Sequence, residues 1–133
     1  MLKIGVDCRC FSHPKSGIAR YTHEVLKILV CMGHTWYLYS NSTLDSSLKE
    51  NRNVTIRSFG WNFPLGNILW FQFQLPYLLR KDKIDLFWSP RHHIPYLTPH
   101  NLKTVVTIHD MVWTRHPETM KRINHLSEKL QMP

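Results

Sequence analysis

The amino-acid sequence predicts an α/β fold with a doubly wound parallel sheet. Short, almost continuously apolar runs recur along the chain, which is typical of strands buried on both faces of such a sheet. Segments with apolar residues at helical spacing separate these runs. The 133 residues suffice for one domain, and a hydrophobic fraction of 43% indicates a folded core.

The first half of the chain predicts a strand, a helix and two more strands. The run Leu2–Val6 predicts the first strand. From Ile18 onward apolar residues recur every three or four positions, which predicts an amphipathic helix with Ser16 as N-cap and Gly33 as its C′ stop. Two β-rich runs predict the second and third strands, at Thr35–Tyr39 and Val54–Phe59.

The second half continues the alternation. Asn67–Lys83 predicts a helix that Pro76 must kink or split. A fourth strand is predicted at Ile84–Trp88 and a fifth at Lys103–Ile108, with a histidine-rich loop between them at Ser89–Asn101. A further helix is predicted to start at Pro117. We expect the strand order 3-2-1-4-5, which leaves Thr104–Ile108 as an uncovered edge and predicts marginal solubility.

Charge and cysteine usage exclude several classes of protein. The net charge of +8 is spread along the chain without a dense basic run, so we expect no nucleic-acid partner. Three cysteines form no disulfide framework and suit a reducing compartment. The nine histidines lack metal-ligand spacing, and the first loop lacks a G-x-G-x-x-G motif. We therefore predict no metal site and no dinucleotide cofactor.

The uncharged segment Ser58–Leu79 raises the question of membrane contact. Its two prolines, two glycines and four amide side chains argue against a transmembrane helix. Five of its aromatic residues either fill the core, which we favour, or rest at a membrane interface: Trp61, Phe63, Trp70, Phe71 and Phe73. The chain also begins without an apolar signal segment. We expect a cytoplasmic protein, with peripheral contact at the inner face of the membrane as an alternative.

Ligands of parallel sheets bind outside the carboxyl ends of the strands, where three segments of this chain meet. The loop Asp7–Gly17 leads into a helix, so Ser16 and Gly17 would bind an anion or simply form an ordinary loop. His92 and His93 follow the fourth strand, where they either line a substrate or belong to a rigid, proline-flanked loop. Because neighbouring side chains of an extended segment alternate, we expect the two rings to point to different sides.

The third segment is the end of the fifth strand. There, His109 and Asp110 are placed to hydrogen-bond a polar ligand. The alternative is a histidine that merely closes the strand, and the spacing does not decide between the two.

Several ordered blocks carry a family resemblance: Lys3–Arg9, Ser16–Tyr21, Leu86–Pro90, Val105–Trp113 and Arg115–Met120. Together they resemble the N-terminal domain of family-4-like glycosyltransferases of the GT-B fold, which act on bacterial surface polysaccharides. The resemblance implies a retaining, metal-independent transfer, commonly of mannose or glucose, from a nucleotide-diphosphate sugar to a saccharide or lipid-linked acceptor. It implies no cofactor.

The same resemblance implies roles for single residues. Gly17, with Ser16, would lie near the donor phosphates, and His109 would contact the transferred sugar. His92, His93 and Asp110 would lie on the acceptor side. Residues 1–133 would then form an incomplete, Rossmann-like acceptor domain, without the second domain that supplies most donor contacts. Such a chain would be inactive alone. The alternative is a non-catalytic module that docks on another subunit.

Overall fold

A computed structural model describes residues 1–13, 15–44, 47–60, 63 and 65–109. Within these residues, five parallel strands form one sheet in the order β3-β2-β1-β4-β5. The strands are β1 (Lys3–Asp7), β2 (Thr35–Ser40), β3 (Val54–Ser58), β4 (Leu86–Ser89) and β5 (Lys103–Val106). The predicted α/β class and strand order are confirmed. The helix predicted from Pro117 lies outside the described residues.

Strand β1 is the centre of the sheet. Ile4 pairs with Trp36 of β2 on one side and with Leu86 of β4 on the other. Because all strands run in parallel, their carboxyl ends lie at one edge, where Asp7, Ser89 and Val106 end their strands. The chain order reverses beside β1, since β2 and β4 flank it. This is the switch point at which open α/β sheets bind ligands.

Helix α1 (Gly17–Leu29) begins as predicted. The Ser16 side chain accepts a hydrogen bond from the Ala19 N–H at 3.1 Å, as an N-cap does. The prediction that Gly33 ends the helix is wrong. Val30 is the C-cap and retains right-handed helical geometry, and no described glycine has a positive φ. The helix therefore ends one turn before Gly33, without the left-handed residue that a glycine stop provides.

The second helical segment changes its hydrogen bonding just before Pro76, where the sequence predicts a kink or a break. It comprises α2 (Gly66–Leu69), a π-helical turn (Trp70–Gln74) and α3 (Leu75–Lys81). Pro76 has no N–H to donate to the carbonyl four residues earlier. Just before it, the Leu75 N–H bonds the Trp70 carbonyl, five residues back. The expected irregularity is thus a wider turn within one continuous helical segment.

Two hydrophobic clusters cover the sheet. One contains α1 residues such as Leu26 together with Val6, Leu38 and Trp88. The other lies beneath the second helical segment and contains Trp70, Phe71, Leu75 and Leu79, each at most 1% exposed. Among the described residues of the aromatic segment, the prediction that it fills the core is confirmed for Trp70 and Phe71. Trp61 lies outside the described residues. Phe63 and Phe73 are 49% and 58% exposed.

A polar cluster joins β2, β3 and the end of α3. Tyr39 donates its hydroxyl to an Asp82 carboxylate oxygen at 2.8 Å, and Arg57 donates to the other oxygen at 2.9 Å. Burial, followed by the neighbouring carboxylate, raises the pKa of Tyr39. The phenol therefore stays protonated and continues to donate to Asp82 at neutral pH.

Candidate functional site

The site lies at the carboxyl edge of the sheet, where the loop after β1 turns back over the central strands. Asp7 ends β1, and a 3-10 helical turn at Arg9–Ser12 follows. The Cys8 N–H donates to the Tyr39 carbonyl at 2.7 Å, which ties the start of this loop to β2. The loop then leads into the N-terminus of α1.

A buried ion pair fixes the loop. The Arg9 guanidinium donates to both oxygens of Asp7, at 3.0 Å from Nε and 2.8 Å from Nη2. Its Cζ lies 3.7 Å from the centre of the Phe71 ring, a cation–π contact. Burial alone would raise the pKa of Asp7, but Arg9, with help from Arg91, outweighs burial and holds the pKa below 3.8. Asp7 is therefore ionised at neutral pH.

The N-terminus of α1 offers backbone donors to this edge. The first N–H groups of a helix have no acceptor inside the helix, and Ser16 satisfies that of Ala19. Gly17, the first helical residue, is exposed, and a Cβ added to it would have no heavy atom within 4 Å. Its φ is not positive. Among the described residues, neither packing nor backbone conformation requires a glycine here.

A pocket of about 280 Å³ opens in front of this helix N-terminus, lined by Cys10, His13, Ser16, Ile18 and Arg91. Arg91 comes from the loop after β4, so the pocket joins two of the three predicted segments. Arg91 brings a positive charge to it, and the helix dipole adds partial positive charge. The pocket therefore suits an anion such as a phosphate group.

His109 belongs to the third segment and lies beside the other two. Its Nε2 is 2.8 Å from the Pro90 carbonyl oxygen. Since a carbonyl can only accept, Nε2 must carry the proton, and in the neutral ring Nδ1 is then an acceptor. The ring also packs edge-on against Tyr21 of α1, with the ring centres 5.0 Å apart. His109 is exposed despite these contacts, so a ligand can reach it.

His92 and His93 lie differently from the expectation. Their rings are in edge contact, with centres 4.6 Å apart, so the prediction that they point to different sides is wrong. The loop turns here and is not an extended strand. His93 is 3% exposed and packs against Phe71, 6.2 Å between ring centres, whereas His92 is half-buried. Asp110 lies outside the described residues.

The two cysteines of the first loop are buried. Burial raises the pKa of Cys10 to about 11, and the thiol donates to Thr22 Oγ1 at 3.7 Å. Burial also raises the pKa of Cys8. Both thiols are protonated at neutral pH, which makes them poor nucleophiles. Within the described part of the chain, no three His, Cys, Asp or Glu residues group as metal ligands would.

Sequence reasoning missed three residues of the site: Arg9, Tyr21 and Arg91. Arg91 follows a predicted strand end between two prolines, and this position was the available signal. Nothing in the sequence indicates that Arg9 turns back onto Asp7 or that Tyr21 supports His109, because both contacts depend on how the loops fold. Of the predicted residues, Ser16 lines the pocket with Arg91, and His109 contacts Pro90, the residue before Arg91. Gly17 follows Ser16 at the start of α1, and His93 is buried.

None of the described helices is long and apolar enough to cross a membrane. Comparison with curated proteins and with solved structures gave no significant match. A family profile, however, matches residues 15–132, nearly the whole chain, and this span includes the α1 N-terminus, the Arg91 loop and His109. On this match, together with the parallel sheet and its carboxyl-edge site, the chain belongs to Glycosyltransferase Family 4.

Proposed function

We propose that this chain forms the acceptor-side wall of a retaining sugar transferase that uses a nucleotide-diphosphate sugar, commonly of mannose or glucose. The acceptor would be a saccharide or a lipid-linked saccharide of a surface polysaccharide. The observation that carries the proposal is the pocket of Ser16, Ile18 and Arg91, with His109 held beside it by Pro90 and Tyr21. We place the protein in the cytoplasm, which suits three free thiols.

The donor diphosphate would bind in front of α1. The N–H groups of Gly17 and Ile18 and the Arg91 guanidinium would donate to its oxygens, and the open space at Gly17 would let an oxygen approach the backbone. Most other donor contacts would come from a second Rossmann-like domain. The described wall alone would therefore bind nucleotide sugars weakly.

His109 would contact the transferred sugar. With Nε2 donating to Pro90, the neutral ring would accept a hydrogen bond from a sugar hydroxyl at Nδ1. Burial of His93 leaves His92 as the histidine of the pair that would face the acceptor directly. His93 and Asp110 stay acceptor-side candidates in our proposal.

The transfer would proceed on one face of the sugar. The bond from the anomeric carbon to the diphosphate oxygen breaks as the acceptor hydroxyl oxygen forms its bond to that carbon. The hydroxyl proton passes to the departing diphosphate. Arg91 and the α1 N–H groups would stabilise the charge that develops on the leaving group, which is electrostatic catalysis. No protein nucleophile takes part, in keeping with the protonated state of Cys10.

The anion site can be tested with the chain itself. We expect inorganic pyrophosphate to shift the amide NMR signals of Gly17 and Ile18, and Arg91→Ala to weaken this binding about tenfold, since a charge-assisted contact contributes about 1.5–3 kcal/mol. Lys49→Ala, in an exposed 3-10 turn, is the matched control and should change nothing.

Calorimetry with a panel of nucleotide-diphosphate sugars tests the need for a second domain. We expect dissociation constants in the millimolar range or weaker. Micromolar binding by this chain would show that a second domain is not needed. Pyrophosphate binding without shifts at Gly17 and Ile18 would move the phosphate site away from α1.

A further inference from the structure

His13 lines the anion pocket and comes from the loop after β1. It lies between the 3-10 turn Arg9–Ser12 and the N-cap of α1, and it shares the pocket with Arg91. His13 is exposed, so a ligand in the pocket can reach its ring. What the ring can offer to such a ligand depends on the hydrogen bonds around it.

The backbone of His13 is fixed on both sides. Its N–H donates to the Cys10 carbonyl at 3.1 Å, and its carbonyl accepts from the Ser16 N–H at 2.9 Å. The first bond closes the 3-10 turn, and the second joins His13 to the residue that caps α1. The ring is therefore attached to a fixed piece of main chain beside the helix N-terminus.

Ser12 determines which ring nitrogen carries a permanent hydrogen. Its hydroxyl oxygen lies 2.8 Å from the Arg9 carbonyl oxygen and 3.0 Å from His13 Nδ1. A carbonyl oxygen can only accept, so the single hydroxyl hydrogen goes to Arg9. Ser12 Oγ can then only accept from His13, and Nδ1 must be the donor. Nδ1 consequently keeps its hydrogen in both the neutral and the charged ring.

Nε2 is therefore the ring nitrogen that gains or loses the proton. In the neutral ring Nε2 is a bare acceptor, which does not attract the oxygens of a phosphate group, because these are acceptors as well. In the imidazolium Nε2 carries a hydrogen and the ring is positive. His13 thus favours an anion only in its charged form, and an anion in the pocket favours that form in turn.

The other groups around the pocket keep their charge near neutral pH. Arg91, from the loop after β4, is positive, and so is the exposed Lys15. Burial raises the pKa of Cys10 to about 11, so its thiol stays neutral. Asp7, at the start of the loop, is ionised and paired with Arg9. A change in the charge of the described pocket lining between about pH 5 and pH 8 must therefore come from its histidine.

We propose that His13 binds the donor diphosphate as an imidazolium and is a catalytic residue of the sugar transfer. Its Nε2–H donates to one diphosphate oxygen, while Arg91 and the α1 N–H groups donate to others. When the bond to the anomeric carbon breaks, the bonding pair passes to the diphosphate oxygen, so the leaving group gains negative charge. The imidazolium stabilises this state more than the bound donor, and its proton stays on Nε2. This inference rests on the diphosphate site of the proposed function and adds to it a residue and a pH dependence.

Titration with sulfate tests the need for charge on His13. Sulfate keeps its own charge over the range in which histidines titrate, about pH 5 to 8. The amide NMR signals of Gly17 and Ile18 report binding, and we expect affinity about three- to tenfold higher at the acidic end of this range, at constant ionic strength. By linkage, saturating sulfate should also move half-protonation of the His13 ring, followed by its own NMR signals, to higher pH.

Three variants complete the test. His13→Gln cannot take up a proton, so at the acidic end it should bind sulfate as weakly as the wild type does at the alkaline end. His13→Lys carries a permanent charge, so its affinity should be high at both ends. The matched control is His100→Gln, which removes an exposed histidine before the amino end of β5 and should keep the wild-type pH dependence.

Three results would overturn the inference. If Gly17 and Ile18 respond to sulfate with an affinity that does not change with pH, the anion site stands but His13 has no part in it. A pH dependence that His13→Gln retains would assign the effect to another histidine, such as His109. A chain whose Gly17 and Ile18 signals ignore sulfate at every pH would remove this inference and the proposed diphosphate site together.

Discussion

At the scale of single residues, Gly17 has more space around it than the fold needs. It begins α1, its φ is not positive, and a Cβ there would meet no heavy atom within 4 Å. Glycine in a helix costs conformational entropy relative to alanine. Gly17 therefore weakens the helix slightly, and no packing contact among the described residues accounts for it. We propose that a bound phosphate uses the open space.

Gly17→Ala separates stability from ligand binding. We expect the free energy of unfolding to stay constant or rise by about 0.4–1 kcal/mol, because alanine restricts the unfolded chain. Pyrophosphate binding should weaken several-fold, because the new methyl group occupies the approach to the backbone. Chemical denaturation and NMR titration measure the two effects. Gly33→Ala, which also meets no neighbouring atom, serves as control, and equal pyrophosphate affinity in both variants would exclude close approach at Gly17.

The Asp7–Arg9 pair predicts a pH dependence of stability. The folded-state pKa of Asp7 lies below its ordinary value of 3.8, so the unfolded state binds the proton more readily. The stabilisation is then fully present above this value and is lost as the pH falls through the folded-state pKa.

Asp7→Asn removes the carboxylate and leaves Arg9 buried with an unpaired charge, which costs about 3–5 kcal/mol near neutral pH. Protonation of Asp7 brings the wild type toward the variant, so the difference in unfolding free energy should shrink below pH 3.8. Urea denaturation between neutral and acidic pH measures this difference. A difference that grows on acidification would contradict the assigned pKa direction.

At the scale of elements, the close approach of α3 to β1 depends on Gly5. A Cβ at this central-strand position would lie 3.0 Å from Tyr39 Cε2, 3.1 Å from Leu79 Cδ2 and 3.2 Å from Ile84 Cγ2. Tyr39 cannot shift freely, because its hydroxyl donates to Asp82, the C-cap of α3. The polar cluster and the glycine thus fix the same contact between helix and sheet.

Gly5→Ala should destabilise the fold by about 1–3 kcal/mol, the usual cost of an extra methyl group in a packed core. The change belongs to folding alone, so pyrophosphate-induced shifts at Gly17 should persist under conditions where the variant is folded. Thermal and urea unfolding measure the effect, with Gly33→Ala again as reference. A variant as stable as the wild type would mean that α3 can move away from β1 freely.

The sequence predicted the elements better than their connections. The strands and the Ser16 cap follow from local signals, namely apolar runs and a serine before an amphipathic segment. The strand order follows from the doubly wound class that their alternation with helices predicts. Gly33 carried a misleading signal, because helix α1 ends without a left-handed residue. Pro76 predicts where the second helical segment is irregular but not that the irregularity is a π turn. The missing N–H of a proline permits a kink, a break or a wider turn.

The candidate site was predictable to the same extent. The ends of the strands predict Gly17 and His109 as candidates, because ligands bind parallel sheets there. The contribution of Arg91 depends on a loop that folds toward α1, and the packing of His93 against Phe71 depends on the second helical segment. Such contacts join residues far apart in the sequence, and no local pattern encodes them.

At the scale of the whole molecule, the sheet is protected unequally. Strand β1 is almost entirely buried, whereas β5 lies at the edge of the described sheet with three of its four residues exposed. Val105 and Ile108 are 47% and 58% exposed. An apolar edge with unpaired backbone groups is a template for another chain. The prediction of marginal solubility rests on this edge.

Val105→Lys should reduce self-association of the chain without loss of fold. A lysine on an edge strand keeps backbone pairing with β4 possible but opposes the approach of a second edge, because it adds a charge that would have to be desolvated. Light scattering over a range of protein concentrations measures the effect. Ile28→Lys makes the same replacement at an exposed position of α1 and isolates the role of the edge. If both substitutions reduce association equally, net charge and not the β5 edge controls it, whereas an effect of Val105→Lys alone assigns association to the edge.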